Sequence, residues 1–168
     1  MKLAVISFTE RGSRLNRSVS ELLSREGIEV ESTALAKYAE SAGLSPLTTS
    51  LHDWTEKMFE SQNALLFIGA TGIAVRSIAP FVVDKRKDPA VVVMDEKGIF
   101  AISLLSGHIG GANELAGKLA NLTGAIPVIT TATDVNGRFA VDVFAKKQKL
   151  WIADMKAAKQ VSADVLDE

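Results

Sequence analysis

The sequence contains no cysteine and only two histidines, His52 and His108. Without cysteine there is no disulfide bond, no thiolate metal ligand and no cysteine nucleophile, and two imidazoles make a zinc site a poor prediction. No apolar run approaches the roughly 20 residues that a membrane-spanning helix requires, and the apolar start at residues 3–8 is too short for a signal peptide. We therefore expect no metal site, no contact with a membrane and a cytoplasmic location.

The chain also lacks an excess of charge of either sign. Its 19 lysines and arginines are balanced by 20 aspartates and glutamates, which gives a net charge of −1. Such a chain has no overall field to attract nucleic acid, so we expect no nucleic-acid partner, and an anionic ligand would have to meet a local group of basic residues. Hydrophobic residues make up 47% of the 168 residues, which is enough to bury the core of a domain.

Apolar runs and helical patterns alternate along the chain, which is typical of α/β proteins. Strands are predicted at residues 3–8, 28–35, 64–68, 90–94, 99–104 and 127–129. Helices are predicted at residues 11–25, 53–61, 72–78 and 112–122, with Asp53 as an N-cap, and residues 43–49 are predicted as a loop. The turn at residues 95–98 joins two of the strands. This order predicts an α/β fold with a mostly parallel open sheet, helices on both faces and an inserted β-hairpin.

We expect residues 1–145 to form one ligand-binding or catalytic domain. Residues 146–168 hold a short basic run, a short apolar run with Trp151, and a helical pattern at 154–166. This tail is expected to be either the last edge of the domain or the start of a following unit that is cut short. Trp54 and Trp151 lie in distant segments and are predicted to pack rather than to stack on a ligand.

Four polar clusters lie where apolar runs stop, at residues 69–76, 84–90, 106–113 and 130–134. In an open α/β sheet the loops that leave the strand ends converge on one edge, so residues remote in sequence can line a single crevice. We therefore predict that the four clusters together form one ligand site.

The clusters and the strands between them also resemble a known family. The segments that carry the resemblance are residues 72–76, 78–80, 84–85, 88–93, 103–108, 110–113 and 127–134. In this order they resemble the amino-terminal part of the cobalamin biosynthesis protein CbiG family, the cobalt-precorrin 5A hydrolases. The resemblance is strong over roughly residues 60–168, and the first 60 residues resemble the family only in their pattern. The family usually carries a further carboxyl-terminal domain.

The resemblance implies hydrolysis of a δ-lactone on a cobalt-containing tetrapyrrole, with release of acetaldehyde, on the anaerobic route to cobalamin. It implies no cofactor, because the cobalt is carried by the substrate. The expected partner is the tetrapyrrole itself, and a homodimer or contacts with other enzymes of the pathway stay open. Such a reaction needs a base for the attacking water, donors for the oxyanion, and a group that takes the proton of the freed hydroxyl.

His108 is the first candidate for the general base, because the ordinary pKa of histidine is about 6.5 and because His108 lies in a glycine-flanked loop that opens a helix. The alternative is that His108 only bonds the backbone and holds the loop. Asp134 is predicted to orient His108 or to take a proton itself, mainly on the resemblance. Its alternative role is to cap the next turn, as aspartate often does.

Small and polar residues near the strand ends are predicted to bind the substrate. Glycines let the backbone approach a bound group, and a helix that starts at Ala112 would present N–H groups to a carboxylate or an oxyanion. Tight packing of strand against helix is the alternative reason for glycine, and Asn113 could simply bond the preceding loop. The predicted substrate-binding residues of this kind are Gly69, Thr71, Gly72, Ser106, Gly107, Gly110, Gly111, Asn113, Thr130 and Thr131.

Four basic residues, Arg76, Lys85, Arg86 and Lys87, lie within twelve positions, where they could bind the carboxylates of a tetrapyrrole. Arg76 and Lys85 are preferred for this role. The alternative is that Arg76 pairs with a neighbouring aspartate and that the lysines belong to a solvated loop.

Three further functions stay open beside the hydrolase. The chain could be a non-catalytic module that binds a corrinoid or another anionic ligand and needs a missing domain or partner for chemistry. A serine hydrolase that uses Ser103 or Ser106 is disfavoured because the Gly-x-Ser-x-Gly elbow is absent. A nucleotide-binding protein is disfavoured because no Lys-Ser or Lys-Thr pair follows either glycine turn.

Overall fold

The structure is a computed structural model that describes residues 1–84, 86–137 and 141–167. Seven strands in these ranges form one sheet: β1 (Lys2–Ser7), β2 (Glu29–Leu35), β3 (Ser45–Leu47), β4 (Ala64–Ile68), β5 (Ala90–Met94), β6 (Phe100–Leu105) and β7 (Ile126–Val128). The α-helices are α1 (Glu10–Arg25), α2 (Ala36–Ala42), α3 (Leu51–Ser61), α4 (Thr71–Ile78), α5 (Ala112–Thr123), α6 (Ala132–Val135), α7 (Val141–Lys147) and α8 (Met155–Asp167). A 3₁₀ helix at Ala79–Phe81 follows α4.

The strands lie in the order β3-β2-β1-β4-β5-β6-β7. The first five in the chain pair in parallel, while β6 is antiparallel to β5 and β7 is parallel to β6. The β5–β6 turn is held by the Asp95 carboxylate, which accepts hydrogen bonds from the backbone N–H of Lys97 at 2.8 Å and of Phe100 at 2.7 Å. The predicted α/β class, with a mostly parallel sheet and an inserted hairpin, is confirmed.

Helices cover both faces of the sheet, as the sequence predicted. On one face α1 and α5 pack against the sheet through residues such as Leu23 and Leu119. On the other face α3 and α4 contribute residues such as Met58 and Ala74. All five residues of β4 are buried, which explains why its sequence is continuously apolar rather than alternating. Burial of each large apolar side chain stabilises the fold by about 1.5–3 kcal/mol, so the central strands give the loops at their ends a rigid support.

Three local predictions were wrong. The N-cap of α3 is Ser50, whose hydroxyl accepts the backbone N–H of Asp53 at 3.1 Å, so Asp53 lies within the first turn instead of capping it. The region predicted as a loop contains β3, a three-residue edge strand, which escapes a pattern search because it includes Pro46. Trp54 is buried as predicted, but Trp151 is 85% exposed and does not pack.

The strands of the sheet begin and end along two opposite sides. We call the side with the carboxyl ends of β1, β2, β3, β4 and β5 the carboxyl edge, and the opposite side the amino edge. Because β6 and β7 run the other way, their carboxyl ends lie at the amino edge. The loops that follow β6 and β7 therefore meet the loop that precedes β5.

In the carboxyl-terminal part, α8 contacts α6 and α7. The predicted division into residues 1–145 and 146–168 stays a prediction. Among the described residues, no helix has both the length and the hydropathy that crossing a bilayer requires.

Candidate active site

Three of the four polar clusters meet at the amino edge. Leu105 pairs with Val91 at the start of β5, so the loop after β6 lies beside the loop that leads into β5. A Cβ atom placed on Gly110 would lie 3.4 Å from the backbone nitrogen of Ala90, which shows how closely these loops approach. The segment after β7 reaches the same edge, since β7 is parallel to β6. The start of β5, residues 106–113 and residues 130–134 are thus neighbours.

The fourth cluster lies elsewhere. The backbone N–H of Gly69 donates to the carbonyl of Met94 at 2.9 Å, at the carboxyl edge. The prediction that all four clusters line one crevice is therefore wrong for residues 69–76, because a turn after a parallel strand and a turn after the reversed β6 lie at opposite edges. Ligand contacts by Gly69, Thr71, Gly72 and Arg76 stay predictions, but they would belong to a different site.

The loop between β6 and α5 is tightly wound and needs glycine at two positions. A Cβ atom on Gly107 would lie 2.8 Å from Oδ1 of Asn113, and one on Gly110 would lie 2.4 Å from Cβ of Ser106. Ser106 itself has a φ of 57°, in the left-handed region that few residues other than glycine adopt. The loop closes onto the helix through hydrogen bonds from Ala112 N–H to the Ser106 carbonyl and from Asn113 N–H to the Gly107 carbonyl, both 3.1 Å.

The amino terminus of α5 ends this loop. Its N-cap is Gly111, with a φ of 93°, and no side chain caps the first turn. Because the N–H groups of Ala112 and Asn113 are bonded to the Ser106 and Gly107 carbonyls, the helix presents mainly a partial positive charge toward the amino edge. Within the described residues the buried hydroxyl of Ser106 has no hydrogen-bond partner, so a further polar group at this loop is unused by the protein.

His108 and Asp134 are in direct contact. The Nε2 atom of His108 lies 2.6 Å from Oδ2 of Asp134, and the two side chains are 16% and 42% exposed. The hydroxyl of Thr133 lies 3.2 Å from the same nitrogen. Thr133 is buried, and sequence reasoning missed it, although the run Thr-Thr-Ala-Thr-Asp was a sign that several hydroxyls accompany Asp134. The predicted proximity of His108 to Asp134 is present in the structure.

The carboxylate of Asp134 is surrounded by donors. Its Oδ2 atom accepts hydrogen bonds from Nδ2 of Asn113 at 2.8 Å and from the hydroxyl of Thr131, in addition to the contact with His108. Partial burial raises the pKa of Asp134, but the hydrogen bonds from Thr131, His108 and Asn113 and the charge of His108 outweigh it, so the pKa lies below its ordinary value. Asp134 is thus an ionised acceptor at neutral pH, within helix α6 and not a cap of it.

Asn113 is engaged on both sides of its amide. Its Oδ1 accepts the hydroxyl of Ser103 at 2.6 Å, and its Nδ2 donates to Thr131 and to Asp134. Asn113 and Thr131 therefore support Asp134, while the substrate contacts predicted for them and for the exposed Thr130 stay predictions. Ser103 bonds Asn113, and the hydroxyl of Ser106 has no partner in the described ranges, so neither of the two serines considered as nucleophiles is bonded to His108 there.

The basic residues are less available than predicted. The guanidinium of Arg86 holds both carboxylate oxygens of Asp84, with Nε–Oδ1 at 3.0 Å and Nη2–Oδ2 at 2.6 Å, and these bonds keep the pKa of Asp84 well below its usual range. Arg76 is exposed, and its Nη1 donates to the Gly72 carbonyl of its own helix at 3.1 Å. Lys85 lies outside the described residues, so its predicted role is not tested.

A second group of titratable residues lies on the first turn of α3. His52, Asp53 and Glu56 each bring one possible ligand atom within 4.8 Å of the others. All three are exposed on one helix turn, where water competes with each side chain for a metal ion. We assign no metal site to them.

The chain shares sequence with known proteins over the region of the site. Residues 53–134 match the model of the family described as cobalamin synthesis G N-terminal. The chain is 52% identical over 116 residues to the cobalt-precorrin-5A hydrolase of Salmonella typhimurium, and this match covers 69% of this chain and 33% of that protein. It is 37% identical over 165 residues to the cobalt-precorrin-5A hydrolase of Priestia megaterium, and this match covers 98% of this chain and 44% of that protein.

A solved structure has the same fold. The crystal structure of a cobalamin biosynthesis protein G homolog from Sulfolobus solfataricus superposes with a TM-score of 0.63 at 24% identity, and the match covers 99% of this chain and 46% of that chain. The chain therefore spans between a third and about half of the length of the relatives that it matches.

Proposed function

Because the chain belongs to the cobalamin synthesis G family, we propose that it acts in cobalamin biosynthesis by opening the δ-lactone of cobalt-precorrin 5A with water and releasing acetaldehyde. The observation that carries the proposal is the 2.6 Å contact between His108 and Asp134 beside the glycine-rich loop that opens α5. Two relatives at 52% and 37% identity are named cobalt-precorrin-5A hydrolase, and the family match extends over both residues.

In the proposed reaction the first proton acceptor is the imidazole of His108. Water adds to the lactone carbonyl as the ring takes one of its protons. Asp134 stabilises the resulting imidazolium through its ionised carboxylate, in the manner of an Asp–His pair in a hydrolase. Three donors hold Asp134 in place, so this support does not depend on reorganisation during the reaction.

The oxyanion of the tetrahedral intermediate is assigned to the loop of Gly107, Gly110 and Gly111. The start of α5 contributes its partial positive charge, because the N–H groups of Ala112 and Asn113 are already bonded to loop carbonyls. The hydroxyl of Ser106 is the polar group that has no partner among the described residues. When the intermediate collapses, the C–O bond of the lactone breaks and leaves a carboxylate and a free hydroxyl on the two-carbon arm.

The carbon–carbon bond then breaks by loss of the hydroxyl proton. The oxygen forms the carbonyl of acetaldehyde, and the electron pair of the broken bond stays on the macrocycle, which takes up a proton. After the imidazolium has released the proton of the attacking water to solvent, the same imidazole can accept the hydroxyl proton and return it to the macrocycle. Lys85 is kept as the candidate contact for the remaining carboxylates of the substrate. Arg76 is disfavoured, because it lies on α4 after β4 at the carboxyl edge and its Nη1 is bonded to the Gly72 carbonyl.

The proposal is tested by anaerobic incubation of the purified chain with cobalt-precorrin 5A. We expect acetaldehyde and a tetrapyrrole of correspondingly lower mass, and we expect Asp134→Asn to slow both while the substrate still binds. Binding without acetaldehyde in the wild-type chain would support the alternative, a corrinoid-binding module whose reacting groups lie in another domain or partner. If the chain neither binds nor converts the substrate, the proposal is overturned.

A further inference from the structure

We propose that Asn113, anchored by Ser103, is a positioning residue that holds the Asp134 carboxylate as the hydrogen-bond acceptor of His108. The effect of this positioning on catalysis rests on the proposed function, whereas the positioning itself does not. The arrangement itself is a series of side-chain hydrogen bonds from Ser103 to Asn113, Asp134 and His108.

The amide of Asn113 has one favourable orientation. An amide nitrogen can only donate, and its two hydrogens match the two oxygens within reach, Oγ1 of Thr131 at 2.9 Å and Oδ2 of Asp134 at 2.8 Å. A rotation of the amide by 180° would place Oδ1 against the carboxylate, so that two acceptors would face each other. The carboxylate thus selects one orientation of Asn113, and Asn113 in turn fixes the carboxylate.

Ser103 connects this amide to the sheet, because Ser103 lies on β6 while Asn113 lies on α5. The 2.6 Å bond from the Ser103 hydroxyl to Oδ1 ties the amide to the strand. It also satisfies the acceptor of a partly buried amide, which would otherwise have to be satisfied by water. Because Ser103 is paired with Val92 of β5, this bond connects the amide, and through it the carboxylate, to the sheet.

The proton between Asp134 and His108 belongs to the imidazole. Oδ2 of Asp134 already accepts from Asn113 and Thr131, and an ionised carboxylate has no proton to donate. The hydrogen of the short contact must therefore come from Nε2 of His108, which fixes that nitrogen as the donor in the neutral ring. Loss of the Asn113 donor would make the ionised form of Asp134 less stable and would weaken its hydrogen bond with His108.

The experiment uses NMR and no substrate, so that its failure is distinct from a failure of the proposed function. The side-chain carboxyl of Asp134 is followed by ¹³C during an acid titration, and the Nε2 proton of His108 is followed by ¹H; the chain has only one other histidine, His52. For Asn113→Leu and Ser103→Ala we expect Asp134 to titrate at a higher pH than in the wild type, and the downfield Nε2 proton to be lost.

Two controls keep the result specific. Ser103→Thr retains the hydroxyl and should titrate as the wild type does. Ser20→Ala removes a different serine–asparagine bond, the one from Ser20 to Oδ1 of Asn16 at 3.0 Å, and should leave both signals unchanged. If Asn113→Leu does not fold, Ser103→Ala decides alone. Wild-type signals in Ser103→Ala would overturn the inference, and so would a change of equal size in Ser20→Ala.

Discussion

Substitution of Gly110 by alanine tests the packing of the loop that carries the candidate site. The new methyl group would lie 2.4 Å from Cβ and 2.7 Å from the carbonyl oxygen of Ser106. Neither atom is the far end of a flexible side chain, so the backbone has to move. Gly110 does not belong to the glycines with positive φ, so the cost arises from this contact and not from the dihedral angles.

The magnitude follows from the closeness of the contact. A methyl group forced into a well-packed site costs about 1–3 kcal/mol, and here a shift of roughly 1 Å is needed to restore ordinary contact. Part of this cost is offset if Ser106 leaves its left-handed conformation, which itself is unfavourable by about 1–2 kcal/mol. We therefore expect Gly110→Ala to lower the free energy of unfolding by about 1–3 kcal/mol, toward the lower end if the loop relaxes.

Urea denaturation followed by tryptophan fluorescence measures the effect, and α5 supplies a matched control. Gly117 lies inside that helix with nothing within 4 Å of an added Cβ atom. Gly117→Ala should raise the free energy of unfolding by about 0.5–1 kcal/mol, because alanine has the higher helix propensity. The same chemical change is thus predicted to have opposite signs at the two positions.

A Gly110→Ala variant as stable as the wild type, with Gly117→Ala behaving as expected, would refute the predicted clash. In that case the loop would have room for a side chain, and the close approach of Gly110 to Ser106 would not be a property of the folded protein. Equal stabilisation by both substitutions would refute the tight packing of the loop in the same way.

Two further predictions concern stability. Ser50→Ala should lower the free energy of unfolding by about 1 kcal/mol because Ser50 caps α3, whereas Asp53→Ala should cost less, and thermal unfolding that ranks the two variants the other way would contradict the assigned cap. Asp134 has a lowered pKa in the folded protein, so its contribution to stability is complete above the unfolded carboxyl pKa of about 3.9 and is lost as the pH falls through the lower folded value. Urea titrations between about pH 6 and pH 2 should therefore show a smaller loss of stability in Asp134→Asn than in the wild type, and equal slopes would speak against the lowered pKa.

Much of the fold could be predicted because burial leaves a simple pattern. A strand that is covered on both faces, such as Ala64–Ile68, is apolar throughout, and the turn at Asp95–Gly98 has the residues that a hairpin requires. The short β3 was missed because three residues with a proline leave no period to detect. Helix α2 was missed because only seven residues form it and no side chain caps its start.

The candidate site was only partly predictable, and the reason lies in strand direction. The predicted hairpin at residues 95–98 implied that β6 runs antiparallel to β5, but the prediction of one crevice treated every loop as the end of a parallel strand. Gly69 and Gly107 were therefore expected together, although the loops after β4 and β6 lie at opposite edges. The proximity of His108 and Asp134, expected mainly from the resemblance, is present in the structure. The support from Ser103 and Thr133 depends on side-chain distances, which no spacing in the sequence contains.

The most direct test of the proposed site is the rate of acetaldehyde release from saturating cobalt-precorrin 5A by His108→Gln and His52→Gln. Both variants remove an imidazole, but only His108 contacts Asp134. Loss of a general base typically costs about 10²–10⁴ in rate, so we predict at least about a 100-fold decrease for His108→Gln and no change for His52→Gln. A His108→Gln variant that releases acetaldehyde at the wild-type rate would contradict the proposed role of the His108–Asp134 pair.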